Sequence, residues 1–215
     1  MSESKLIQGV GVPLPISNLD TDQIMPKQFL RIINKAGLDK GLLYDLRFDE
    51  HGQQRADFVL NQAGYAHAAV LVGGPNFGCG SSREHAVWGL LQYGIKVVIA
   101  SSFGEIFYSN AMNNRLLLVM LDEADVQPIL ADLSNPETNQ LTVDLETMTV
   151  RSHSHQAVFT MSERHRRMFL EGQDVIGATL AHREEIDAFA AGHWQRHPWL
   201  QDVAQKTRER LAAGA

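Results

Sequence analysis

The alternation of short apolar runs with helical patterns between residues 68 and 120 constrains the fold of this chain more than any other feature. Three apolar runs have the length of buried strands: Ala68–Val72, Ile95–Ala100 and Leu116–Met120. Between them, Ser82–Tyr93 and Phe103–Asn113 carry apolar residues at helical spacing, and Gly94 can cap the first helix. Because a strand–helix–strand unit pairs its strands in parallel, we predict a parallel sheet with helices packed against it.

The segments on either side predict strands of mixed direction. The candidate strands are Val10–Leu14, Gln140–Asp144, Met148–Arg151 and Gln156–Thr160. The second and third alternate apolar and polar residues around a short connection, which is the pattern of an antiparallel hairpin. Together with the central stretch they predict an α/β fold class, with a mixed sheet core and flanking helices.

The rest of the chain predicts less regular structure. Asn34–Arg55 is rich in glycine and charge, which favours a long surface excursion. Helical patterns at Glu163–Leu170 and Ala181–Trp194 precede a polar C-terminal end. We expect one domain over residues 1–200 and a polar tail over 201–215 that frays.

Charge and hydropathy exclude two classes of partner. The 19 Lys and Arg residues against 25 Asp and Glu residues give a net charge of −6, whereas binders of nucleic-acid backbones normally carry a basic excess. No apolar run approaches the roughly 20 residues of a membrane helix, and the first residues contain no secretory apolar segment. We predict a cytoplasmic protein that binds neither nucleic acid nor membrane.

The chain has one cysteine, Cys79. It therefore cannot form an intrachain disulfide or a zinc site made of several cysteines. It also cannot hold an iron–sulfur cluster by itself, because such clusters generally take about three or four thiolates from their host. We expect no metal and no cofactor in this chain.

The glycine-rich stretch Gly74–His85 carries most of the chemical information. It joins a predicted buried strand to the start of a helix, where α/β folds tend to bind ligands. Ser81 followed by Glu84 matches a capping box, and Arg83 offers a planar cation suited to a carboxylate. The stretch predicts recognition of a carboxylate or phosphate, with the hydroxyls of Ser81 and Ser82 beside it.

Common explanations of such a loop do not apply. A dinucleotide fingerprint fails because Arg83 stands at the third glycine, and the P-loop and hydrolase-elbow patterns are missing as well. Two alternatives remain open. The loop could be a tight turn in which Ser81 only caps a helix, or Cys79 could act as a nucleophile, although no partner for it can be assigned from sequence.

Other polar clusters give weaker signals. Asp20-Thr21-Asp22 does not start a calcium loop, since Met25 occupies the required glycine position, so it is either a solvated turn or a carboxylate that orients a serine. The histidine pairs His153/His155 and His193/His197 lack further ligands at matching spacing. We interpret these histidines as surface residues rather than a metal site.

Two motifs resemble the small, swivelling domain of the aconitase superfamily. Asn76–Ala86, with the run Gly-Cys-Gly-Ser-Ser-Arg-Glu-His, is similar to the signature of that domain. Asn18–Leu30, with Asp-Thr-Asp-Gln-Ile-Met-Pro, resembles the N-terminal motif of 3-isopropylmalate dehydratase small subunits. Further similarity at Phe58–Asn61, Ile95–Asn113 and Gln195–Leu200 extends the resemblance over nearly the whole chain.

The resemblance implies a β/β/α swivelling domain that is one subunit of a two-subunit hydro-lyase. Such an enzyme isomerises 2-isopropylmalate to 3-isopropylmalate by loss and re-addition of water, a step in leucine biosynthesis. It also implies a separate large-subunit partner that carries a [4Fe-4S] cluster, with Cys79 not a cluster ligand. A small dicarboxylate would be the substrate.

The resemblance also assigns roles to individual residues. Ser81 matches the general base that, as an alkoxide, takes a proton from carbon. Ser82 matches a hydrogen-bonding contact to substrate, and Arg83 matches the arginine that binds a substrate carboxylate. Asp22 matches a supporting acid that lies near the base serine.

Substrate choice would lie in another segment. Arg31, Ile32 and Ile33 fall where relatives carry a loop that selects the substrate's side chain, and apolar isoleucines suit an isopropyl group. Since Gly73–Pro75 and Val87–Gly89 differ from the expected forms, a related hydro-lyase for methylmalate, dimethylmalate or homocitrate remains an alternative. A non-catalytic anion-binding module is the alternative from a different class.

Overall fold

The computed structural model describes residues 5–31 and 36–214 and divides the chain into two compact units, 1–174 and 175–215. The strands of the first unit are β1 Leu6–Leu14, β2 Val70–Gly73, β3 Val97–Ala100, β4 Leu117–Met120, β5 Gln140–Asp144, β6 Thr149–Arg151 and β7 Gln156–Val158. Its α-helices are α1 Thr21–Ile24, α2 Tyr44–Arg47, α3 Glu84–Tyr93, α4 Glu105–Asn113, α5 Glu123–Leu133 and α6 Glu163–Glu171. Short 3-10 turns lie at Lys27–Phe29, Leu38–Gly41, Val59–Asn61 and Ala63–Tyr65.

The strands of the described residues form one mixed sheet in the order β4-β3-β2-β1-β5-β6-β7. From β1 to β4 each neighbouring pair is parallel, and from β1 through β5 and β6 to β7 each pair is antiparallel. Strand β1 joins the two halves, because Leu6–Val10 pairs with β5 whereas Gly11–Leu14 pairs with β2. The predicted α/β fold class with a mixed sheet and flanking helices is confirmed.

The core extends over both halves of this sheet, and the parallel half contains its most completely buried strands. Every residue of β2 and of β3 is buried. Burial on both faces is what parallel strands experience when helices cover the sheet, and it explains why these strands are continuous apolar runs in the sequence. Helix α3 ends as predicted at Gly94, which adopts φ 112° as a left-handed cap.

The surface excursion predicted over Asn34–Arg55 is confirmed for residues 50–55, which are exposed, and is wrong for the described segment before them, whose leucines pack into the core. Leu38, Leu42 and Leu43 are fully buried, and the segment forms a 3-10 turn and helix α2. The Leu43 N–H donates to the carbonyl of Ile24 at 2.9 Å, which fixes the segment beside α1. Irregular backbone with buried leucines has no helical or strand periodicity, so this packing leaves no signal in the sequence.

The second unit consists of α7 Val175–Leu180, α8 Arg183–Arg196, a 3-10 turn at Pro198–Leu200 and α9 Val203–Ala213. Its boundary at residue 175 differs from the domain limit drawn at residue 200, and α9 lies in the segment expected to be a frayed tail. Whether 201–215 frays in solution stays a prediction. Among the described helices, none has the length and apolar character needed to cross a membrane.

Candidate active site

Two segments about 60 residues apart in the sequence are held side by side by backbone hydrogen bonds. The N-terminal motif around α1 meets the glycine-rich loop that connects β2 to α3. Three of these backbone-to-backbone bonds are Asn18 N–H to Pro75 O at 2.9 Å, Gly78 N–H to Leu19 O at 2.8 Å, and Thr21 N–H to Cys79 O at 2.9 Å. The two motifs that carry the family resemblance therefore form one site at the end of β2.

The glycine-rich loop has a backbone that few other residues could adopt. Gly78 and Gly80 have φ values of 73° and 96°, in the left-handed region that favours glycine. A Cβ on Gly78 would lie 2.3 Å from Cγ of Phe107, so a side chain there would also collide with the core. This conformation turns the chain outward, and Ser81 and Ser82 are exposed at its end.

The predicted capping box of Ser81 and Glu84 is wrong. Helix α3 begins at Glu84, its N-cap is Arg83, and no side chain caps it. The Ser81 carbonyl accepts from the Arg83 N–H at 2.9 Å, and the Glu84 carboxylate accepts instead from Nδ2 of Asn114 at 2.6 Å. The Ser81 hydroxyl is therefore not used as a helix cap.

The capping box of this site lies on helix α1. Oδ1 of Asp20 accepts from the Gln23 N–H at 2.7 Å, and Oε1 of Gln23 accepts from the Asp20 N–H at 3.1 Å. The pair fixes the first turn of α1 and, with it, the direction of Thr21.

The Thr21 side chain forms hydrogen bonds to Ser81. Its hydroxyl accepts from the Ser81 N–H at 3.2 Å and donates to the Ser81 carbonyl at 3.2 Å. The hydroxyl oxygens of Thr21 and Ser81 are 3.3 Å apart. Thr21 is 1% exposed, so these contacts satisfy a buried polar group.

Sequence reasoning misses Thr21. The hypothesis for this motif is that a carboxylate orients the serine, but the hydroxyl beside Ser81 belongs to the residue between the two acids. A signal is present in Asp20-Thr21-Asp22, since a side chain at the start of a capped helix has a fixed direction. The sequence contains no comparable signal that the glycine-rich loop with Ser81 lies opposite that helix.

Asp22 and Arg83 form an ion pair between Oδ1 of the carboxylate and Nη1 of the guanidinium. The Arg83 side chain is 24% exposed and that of Asp22 is 62% exposed, so the pair lies at the edge of the site. The pair joins helix α1 to the residue that follows Ser81 and Ser82 in the chain, and the roles of these residues stay predictions. The guanidinium retains further donors for a second carboxylate.

The remaining candidate residues are those of the predicted specificity segment and Cys79. Arg31 is exposed at the end of the turn after Phe29, whereas Ile32 and Ile33 lie outside the described residues. The thiol of Cys79 donates to the carbonyl of Asn18 at 3.3 Å, a contact that helps to join the two segments.

The two candidate histidine pairs have contacts of their own. His155 pairs with Asp125 at 2.9 Å, and the rings of His193 and His197 stack with centroids 4.8 Å apart. Burial and the neighbouring charge of Arg164 lower the pKa of His165. Within residues 5–31 and 36–214, no three His, Cys, Asp or Glu side chains are grouped in a way that could hold a metal ion.

Comparisons with known proteins agree with the fold and with the motifs. Residues 1–124 match the family model of the aconitase C-terminal domain. Residues 176–203 match the model of the C-terminal domain of 3-isopropylmalate dehydratase small subunits. A crystal structure of 3-isopropylmalate dehydratase from Methanocaldococcus jannaschii superposes with a TM-score of 0.61 at 25% identity, covering 86% of this chain and 99% of that one.

Curated relatives are similar over almost their whole length. The 3-isopropylmalate dehydratase small subunit 1 of Chromobacterium violaceum is 68% identical over 206 residues, which are 96% of this chain and 97% of that protein. The corresponding small subunit of Phenylobacterium zucineum is 47% identical over 190 residues, or 88% of this chain and 93% of the relative. The chain therefore belongs to the 3-isopropylmalate dehydratase small-subunit family of the aconitase superfamily.

Proposed function

We propose that this chain is the small subunit of a two-subunit hydro-lyase that isomerises 2-isopropylmalate to 3-isopropylmalate in leucine biosynthesis. The observation that carries the proposal is the convergence of an exposed Ser81, a neighbouring Ser82 and the Arg83–Asp22 pair at the end of β2. An exposed hydroxyl beside a guanidinium suits a reaction that removes a proton next to a carboxylate.

Ser81 acts as the base. In its alkoxide form, Oγ takes the proton from the carbon adjacent to the hydroxyl-bearing carbon, the C–H electrons form a carbon–carbon double bond, and the hydroxyl leaves with its electron pair. The hydroxide then adds to the carbon that lost the proton, and Ser81 returns its proton to the carbon that lost the hydroxyl, which gives the isomer and regenerates the alkoxide. A serine hydroxyl is a very weak acid, so its anion requires nearby positive charge and hydrogen-bond donors.

Arg83 binds a carboxylate of the substrate. Its planar fork can donate two parallel hydrogen bonds, and one of its nitrogens already pairs with the carboxylate of Asp22. The substrate carboxylate then shares Arg83 with Asp22 or displaces it. Ser82 adds a hydroxyl on the exposed side of the same loop.

A [4Fe-4S] cluster, which the family resemblance implies, does not fit this chain. Cys79 is its one cysteine, and among the described residues no group of three potential ligands exists. We assign the cluster to a large-subunit partner, and the roles given above involve only residues of this chain. The cytoplasmic location stays a prediction.

Reconstitution with the candidate large subunit tests the proposal. We expect the purified small subunit to be inactive and to hold no stoichiometric iron, and the pair to convert 2-isopropylmalate with transient ultraviolet absorbance from the unsaturated intermediate. A panel containing methylmalate, dimethylmalate and homocitrate identifies the substrate's side chain. A preference for one of these would overturn the substrate assignment, and binding of dicarboxylates without turnover would favour an anion-binding module.

A further inference from the structure

We propose that Thr21 is a positioning residue for Ser81, and that its hydroxyl stabilises the anionic form of the Ser81 side chain. The inference rests on the proposed function, because it concerns the state in which Ser81 accepts a proton. It extends that function to a residue which none of the roles given above includes.

The Thr21 hydroxyl contacts three groups of Ser81, its N–H, its carbonyl and its hydroxyl; we call this set of contacts the Thr21 bracket. The Thr21 oxygen accepts from the Ser81 N–H at 3.2 Å, while its proton can reach either the Ser81 carbonyl at 3.2 Å or the Ser81 hydroxyl at 3.3 Å. One hydroxyl has one proton, so only one of these two oxygens can receive it at a time. The accepted N–H bond persists in both arrangements and holds Thr21 in place.

The charge of Ser81 decides which oxygen receives the proton. A neutral Ser81 side chain carries its own proton and is a modest acceptor. An alkoxide is a much stronger acceptor, since hydrogen bonds to ionised groups are roughly twice as strong as neutral ones. The Thr21 proton then turns from the carbonyl to the side chain without any movement of the backbone, which favours the charged form of Ser81.

The surroundings of Thr21 prevent it from turning away. It is 1% exposed, its own N–H donates to the Cys79 carbonyl at 2.9 Å, and its carbonyl accepts from the Met25 N–H at 3.0 Å. A Cβ on Gly80 would stand 3.5 Å from the Thr21 hydroxyl oxygen, so the loop passes close to it. Because burial and these hydrogen bonds fix Thr21 in advance, its hydroxyl can act as a donor without reorganisation during the reaction.

The test compares Thr21→Val, which keeps the shape but removes the hydroxyl, with Thr21→Ser, which keeps the hydroxyl. Both are measured in the reconstituted pair. For Thr21→Val we expect kcat to fall by about 10²-fold, as when one preorganised donor to an anion is removed, while KM changes little. Loss of this donor disfavours the anionic form of Ser81, so the pH at which kcat is half of its maximum should move upward. Thr21→Ser should restore most of kcat and the original profile.

A purely structural role predicts a different result. Thr21→Val would then lower thermal stability or subunit assembly, and the assembled fraction would keep the normal kcat and pH profile; that outcome overturns the inference.

Amide exchange at Ser81 in the full small subunit gives a test that is independent of catalysis. Exchange that is faster in Thr21→Val and unchanged in Thr21→Ser supports the bracket, and equal exchange in all three chains overturns it. An inactive wild-type pair would instead count against the proposed function, with the exchange arm still deciding on Thr21.

Discussion

The glycine-rich loop and the turn between β6 and β7 each carry two serines, but the hydroxyls of these serines have different partners. In the turn, Oγ of Ser152 donates to Oδ2 of Asp132 at 2.5 Å, and the Ser154 N–H and hydroxyl donate to the same carboxylate at 2.7 and 2.8 Å. Beside the loop, the carboxylate of Asp22 on helix α1 pairs with Arg83 instead. Within the part of the chain that the structure describes, the Ser81 hydroxyl faces the Thr21 hydroxyl and not a carboxylate that would keep its proton in place.

This difference separates a structural serine from a reactive one. A hydroxyl that donates to a carboxylate resists losing its proton, since the resulting anion would face a negative charge. Ser152 is 7% exposed and attaches the hairpin to helix α5, so its hydroxyl serves packing. Ser81 is exposed, and its hydroxyl oxygen lies 3.3 Å from that of Thr21, which is able to donate to it; this suits a proton acceptor.

The largest expected effect comes from exchanging the serines of the two regions for alanine. Ser81→Ala in the reconstituted pair should lower kcat by at least about 10³-fold, within the range found for loss of a general base, with subunit assembly intact. Ser152→Ala should keep kcat within about threefold but lower the free energy of unfolding by about 1–2 kcal/mol, because a buried hydrogen bond is lost. Initial rates and denaturant titrations measure the two quantities. Normal turnover by Ser81→Ala would contradict the comparison.

A smaller effect on catalysis is expected for substitution of Arg83, which is compared with Arg166, an arginine that contacts backbone carbonyls instead. Arg83→Lys removes the fork that pairs with Asp22 and binds the substrate, so kcat/KM should fall by about 10- to 100-fold, chiefly through KM. Arg166 donates to the carbonyls of Leu145 and Glu146 at 3.0 Å each, a contact away from the loop. Arg166→Lys is therefore the matched control. Equal kinetic effects of the two substitutions would show that Arg83 is not specific to the substrate.

The two regions also differ in how far the sequence predicts their surroundings. Strands such as β2 and β3 are continuous apolar runs because they are buried on both faces, and their parallel pairing follows from that pattern. The serine–arginine loop is a recognisable motif at a predicted strand–helix junction. Helix α5, which the Ser152 turn contacts, is not predicted, because Pro128 inside it interrupts the helical pattern.

Contacts between distant segments are what the sequence does not predict. Ser81 with Glu84 and Asp20 with Gln23 both match a capping box, but the structure forms only the second of these two. Tertiary contact decides between them, because the loop backbone around Ser81 is bonded to Thr21 and α3 starts later. The partner of a hydroxyl about 60 residues away depends on the register of two irregular segments, which has no periodic signal.

The smallest effect concerns the pH dependence of stability in the structural turn. Burial by itself raises the pKa of the Asp132 carboxyl, but the hydrogen bonds from Ser152 and Ser154 outweigh it, so that the pKa is lowered from its ordinary value of 3.8. A carboxyl whose folded pKa lies below its unfolded pKa contributes stability that is present above about pH 3.8 and is lost as the pH falls through the folded pKa. Asp132→Asn should therefore flatten the acid limb of the free energy of unfolding below about pH 4, as measured by denaturant titration from pH 7 to 3. The control is Asp22→Asn on helix α1, where the carboxylate is 62% exposed and pairs with Arg83 instead of with serines. An acid limb left unchanged by Asp132→Asn would contradict the conclusion that the carboxylate of this turn holds the serine protons.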